Sequence, residues 1–169
     1  MSTKTETTTI TGLFRDPSKA ASAVNALSAK GLHPRDISAV VTEPAAESAF
    51  AVETHSKVGD GAAIGAGAGG AIGALVAGFT AVGALAATGV GLVAAGPVVA
   101  ALAGAGAGAA AGGVLGGLIG LGISENEVKQ IEKGLEDGAV FLMVEVGDDQ
   151  AKDVREAFKD NDVDTLGEL

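Results

Sequence analysis

The sequence predicts an α+β chain interrupted by a long apolar insert, and three observations carry that prediction. Strand-like and helix-like segments alternate at both ends of the chain. From Gly61 to Ser124 no residue is charged, and these 64 positions hold 20 of the 27 glycines. The flanks hold all the charge: residues 1–60 are close to neutral at −1, and residues 125–169 carry −9 of the total −10.

The first flank reads β-α-β. Thr8 to Phe14 alternates as a strand, with Ile10, Gly12 and Phe14 on one face. Asp16-Pro17 opens a helix, because Asp is a good N-cap and Pro is tolerated at the first helical position. Ala20, Ala21, Val24 and Leu27 follow at helical spacing, and Gly31 supplies a C-terminal stop. Ile37 to Thr42 is the second strand. Glu43 to Lys57, with Pro, Ser and charges, reads as a linker whose Phe50 and Val52 dock on the sheet.

The second flank reads α-β-α-β. Ser124-Glu125-Asn126-Glu127 forms a capping box. It starts a helix through Val128, Ile131 and Leu135 that Gly138 ends. Ala139 to Val146 is apolar at nearly every position, as expected of a central strand covered on both faces. Asp148-Asp149 is read as the cap of a last helix with Ala151, Val154 and Phe158 inward, and Val163 to Leu166 as a short closing strand. Together the flanks fit a ferredoxin-like split β-α-β domain. The expected organisation is a flexible N-terminus over 1–7 and a first half plus linker over 8–60. The insert follows over 61–123 and the second half over 124–169.

Within the insert, glycines recur every fourth residue. One run is Gly61, Gly65, Gly69 and Gly73; the other is Gly104, Gly108, Gly112, Gly116 and Gly120. That step keeps small residues on nearly one helix face and lets two backbones approach closely. The runs also mirror each other about Val90-Gly91, pairing Gly61 with Gly120, Gly65 with Gly116, Gly69 with Gly112 and Gly73 with Gly108. The expectation is an antiparallel glycine-zipper hairpin of helices 61–87 and 95–121, with a turn near 88–97. Neither helix has a polar stripe, and a helix that is apolar all round is buried in protein or lipid. Glycine costs an isolated helix about 1 kcal/mol relative to alanine, so the hairpin needs partners. Its own copies are the first expectation and a bilayer the alternative. Sparse flanking cations and the absence of Trp and Tyr weigh against the bilayer.

Chemistry finds few candidates. There is no cysteine, which excludes disulfides and thiolate sites, and two histidines are too few for a histidine-rich metal centre. His33, beside Pro34, and His55, in the linker, read as surface residues. Gly65–Gly70 matches the dinucleotide fingerprint, but no strand precedes it and no acidic residue follows at the required distance. Net charge of −10 and a pI near 4.5 argue against nucleic acid as a partner. No catalytic, cofactor-binding or metal-binding residues are expected. The polar N-terminus, MSTKTETTT, lacks the apolar core of a signal peptide, so secretion is not expected.

The segment ITGLFRDPSKAASAVNALSAKGLHPRDISAVV resembles the opening module of bacterial general stress proteins of the YflT type. The order of parts, with an apolar Gly/Ala insert followed by GGLIGLGISENEVKQIEKGLEDGAVFLMVEV, is similar to the low-temperature-induced proteins. The resemblance implies a non-enzymatic, stress-associated bacterial protein, cytoplasmic or membrane-associated, and supplies no functional residue set. The function expected is self-assembly through the zipper into a homo-oligomer. The alternative is a membrane-inserted hairpin bearing a cytoplasmic acidic domain.

Overall fold

A computed structural model describes residues 7–33, 36–42, 85–88, 92–104 and 113–169. The described elements are β1 (Thr7–Phe14), α1 (Pro17–Ala29), β2 (Ile37–Thr42), β3 (Leu85–Thr88), β4 (Leu92–Ala95), α2 (Pro97–Gly104), α3 (Gly113–Gly120), α4 (Glu125–Glu136), β5 (Val140–Gly147), α5 (Asp148–Asp160) and β6 (Thr165–Glu168). The chain is α+β, with one antiparallel sheet in the order β3-β4-β2-β5-β1-β6.

Both faces of the sheet are covered. On one face, Ile10 and Phe14 of β1, Ile37, Ala39 and Val41 of β2, and Val140, Leu142, Val144 and Val146 of β5 meet α1 and α5. Phe158 of α5 stands edge-on to Phe14, their rings 5.2 Å apart. It lies over Gly12, where a Cβ would come within 2.7 Å of its ring. On the other face, Leu13, Val40, Phe141 and Met143 meet α2, α3 and α4 through Val98, Val99, Leu118, Val128, Ile131 and Leu135. The uninterrupted apolar run of β5 follows from this, since its odd and even positions each feed a core.

The local signals act as their chemistry dictates. The Asp16 side chain accepts from the Ser18 amide, and Pro17 opens α1. Both bonds of the capping box between Ser124 and Glu127 are made. Gly31 and Gly138 adopt φ of +93° and +90° just past their helices, where an L side chain is strained.

Several expectations are corrected. The region 85–95 is not the end of one helix and the turn to the next. It is a strand hairpin, β3–β4, in which Leu85 faces Ala95 and Thr88 faces Leu92. The centre of that pairing falls at residue 90, between two strands and not two helices. The physical reason is the free edge of β2, whose Ala39–Thr42 backbone takes β4 as its partner. Of the expected second helix, 95–121, the structure describes α2 and α3, with strand at residue 95; residues 105–112 lie outside the described residues. The N-cap of α5 is Gly147, which makes no side-chain cap; Asp148 and Asp149 lie in the first turn, where their charge suits the helix dipole. The closing strand runs Thr165–Glu168 rather than 163–166. The linker 43–57, with Phe50, Val52 and His55, and the first expected helix over 61–84 lie outside the described residues.

Candidate functional site

The part of the apolar insert that the structure describes is built into the domain rather than hung from it. β3 and β4 extend the sheet past β2. An elbow at Gly96-Pro97 then turns the chain onto the sheet face as α2. Gly96 has φ of +114°, and a Cβ there would overlap the backbone of Ser38, so only glycine fits. Ser38, fully buried in β2, accepts at Oγ from the Val98 amide at 3.0 Å. That bond satisfies one of the orphan donors at the start of α2. Val98 and Val99 are thereby pressed against Val40 and Met143, within the second core.

α3 packs beside α2 and α4. Leu118 is fully buried and Leu115 partly so, which fixes the inward side of α3. The C-terminal end of α3 is apolar and exposed: Ile119 is 45% exposed and Leu121, just past the helix, 40% exposed. Between them Gly120 faces open space: a Cβ there would meet nothing within 4 Å. This exposed apolar pair flanks an open glycine in a stretch with no charge between Gly61 and Ser124.

Of the nine glycines expected to mediate helix packing, Gly104 ends α2, and Gly116 and Gly120 lie in α3. Gly61, Gly65, Gly69, Gly73, Gly108 and Gly112 fall outside the described residues, so no mirrored pair lies within them. Ser38 and Gly96 are the two residues that sequence reading missed. The only signals were a serine inside an apolar strand and a Gly-Pro pair, read as a simple breaker.

The charged groups sit elsewhere, and they join the two flanks. Arg15 pairs with Asp164 at 3.4 Å, Lys19 with Asp162 at 2.8 Å, and Lys30 with Asp153 at 2.7 Å. The hydrogen bond to Asp153 raises the Lys30 pKa, and the bond to Asp162 does the same for Lys19. The reciprocal bond holds the Asp162 carboxyl below its usual range. His33 is exposed, and its amide donates to Asp36. Among the described residues no group of three or more His, Cys, Asp or Glu is placed to hold a metal, and no helix is long and apolar enough to cross a membrane.

Residues 80–167 match the family described as a protein of unknown function, DUF1269. No curated protein and no solved structure matches the chain. The matched stretch contains every element from β3 to β6 except the last residue of β6, together with the elbow and the exposed end of α3. Since it spans more than half of the sequence, the chain belongs to the DUF1269 family.

Proposed function

We propose that the protein is a non-enzymatic, self-associating protein whose copies meet through the uncharged insert. The observation that carries this reading is the end of α3, where Ile119 and the following Leu121 are exposed around the open Gly120. A chain of net charge −10 repels its copies over most of its surface. Contact is cheapest where charge is absent, and the glycine lattice lets backbones approach there. The glycine-zipper hairpin is the packing device this reading invokes, with Gly104, Gly108, Gly112, Gly116 and Gly120 along its second run. The scaffold reads as ferredoxin-like: the run β6-β1-β5-β2 within the sheet, with α1 and α5 on one face, supports that assignment. A role in bacterial stress rests on the resemblance of the two flanks to general stress proteins. Membrane insertion is the alternative; sparse flanking cations and the absence of Trp and Tyr weigh against it.

The test is Gly120→Leu in the full chain. The new side chain enters open space within the monomer, so the fold is retained, while close approach of a second copy is blocked. Sedimentation without detergent is expected to show a large species for the parent and a smaller one for the variant. An unchanged particle size would sink the reading, and recovery of the parent only with membranes would replace it with the bilayer alternative.

A further inference from the structure

The side of the sheet that carries α4 is not closed at its far end. α4 lies over β2 and β5, and beside it a cleft of about 90 Å³ opens against β1 and β6. Ile123, Ile131 and Phe141 give the cleft an apolar lining. One polar group interrupts it. Thr11 is only 5% exposed, and its hydroxyl makes no hydrogen bond with the described residues. No fully enclosed side-chain oxygen or nitrogen lacks a partner among those residues, so this hydroxyl is open to the cleft that Thr11 lines. Gly167, its register partner on β6, preserves that opening: a Cβ there would stand 2.5 Å from Thr11 Oγ1.

Two carboxylates also line the cleft, Glu127 and Glu168. Both oxygens of Glu168 are held by Arg155. Glu127 uses only Oε2, accepting from the Ser124 amide and hydroxyl, which leaves Oε1 without a partner among the described residues. The cleft therefore offers a hydroxyl on its wall, one carboxylate oxygen without a partner among the described residues, and an apolar lining.

We propose that this cleft binds a primary ammonium group on a short aliphatic stem. The stem covers Ile131 and Phe141, and the ammonium donates to Thr11 Oγ1 and Glu127 Oε1. An ammonium is donor-only, which matches two acceptors. The Thr11 hydroxyl, open to the cleft, accepts from such a donor in place of water. A cavity of about 150 Å³ holds benzene, so the smaller volume here suits a stem of about four carbons. The net charge of −10 favours cations over carboxylates and phosphates. The ammonium comes from a free amine or from a lysine side chain of another polypeptide.

The full-length protein is titrated with n-butylammonium and, separately, with butyrate, following the methyl resonances of Thr11, Ile123 and Ile131. Butylammonium is expected to shift these signals saturably, and butyrate to leave them unmoved. Thr11→Val, which keeps the shape without the hydroxyl, is expected to weaken binding about fivefold. Glu127→Gln, which retains a side chain able to close the capping box, is expected to do the same. Equal shifts with butyrate, no saturable shift with butylammonium, or unchanged affinity in both variants would overturn the proposal. A blocked lysine, acetylated at Nα and amidated, separates the sources: tighter binding than butylammonium assigns the site to a partner's lysine, and weaker binding to a free amine.

Discussion

Asp162 is the non-glycine residue that takes a left-handed backbone among the described residues, with φ of 54°. It follows the C-cap Asn161 of α5, and Asp is among the few side chains that tolerate this region. Its carboxylate accepts from Lys19 at 2.8 Å and so ties the end of α5 to α1. The pairing lowers the Asp162 pKa and raises that of Lys19, first through the hydrogen bond and then through the opposite charge. The stabilisation is therefore present at neutral pH. It is lost as pH falls through the lowered pKa of folded Asp162, and again as pH rises through the raised pKa of folded Lys19. Urea denaturation of the parent and Asp162→Asn is expected to show a small loss for the variant at pH 7. That difference is expected to vanish at strongly acidic pH. Both groups are exposed, so screening by salt is expected to shrink the pH 7 difference as well.

At the scale of elements, the elbow between β4 and α2 depends on a hydroxyl and a glycine. Ser38→Ala leaves the buried Val98 amide without its acceptor, a cost of about 1–3 kcal/mol. Gly96→Ala is expected to cost more, because it combines a strained φ with overlap against the Ser38 backbone. Chemical denaturation of the two variants checks the order. The local loss is expected to show as faster amide exchange in Pro97–Gly104 than in α4. Losing the capping box in Ser124→Ala is expected to cost about 1 kcal/mol and to leave the elbow intact.

Across the whole molecule, the segment that matches the family is not a complete sheet. Among the described strands β5 pairs with β1 and β2, β6 with β1, and β4 has β2 on its inner side. Residues 80–169 alone therefore lack the two strands that bridge the others. That fragment is expected to show no cooperative thermal unfolding by circular dichroism, whereas the full chain does. A cooperative transition in the fragment would mean that its strands find another pairing. The ion pairs from Arg15, Lys19 and Lys30 to the acidic half act at the same scale, offsetting part of the −9 charge that otherwise opposes compaction.

The flanks were legible because their signals are local. Asp16-Pro17, the Ser124–Glu127 box, Gly31 and Gly138 act within one turn of the chain, and the apolar spacing of Val128, Ile131 and Leu135 sets a face without reference to anything distant. Ala139–Val146 announced a central strand by having no polar face. The closing strand was displaced by two residues because Thr165–Glu168 takes its register from β1, which is remote in sequence. Small residues at fourfold spacing favour helix up to residue 87 and from 95, and Leu-Ala-Ala-Thr carries no alternation to oppose it. Only the tertiary structure supplied the open edge of β2 that turns Leu85–Ala95 into strands. The same holds for the cleft beside Thr11: its hydroxyl, Gly167 and Glu127 lie on three elements, and only folding brings them together. Local chemistry determined the elements of the flanks and the segregation of charge from the insert, while long-range backbone pairing decided what the apolar segment became.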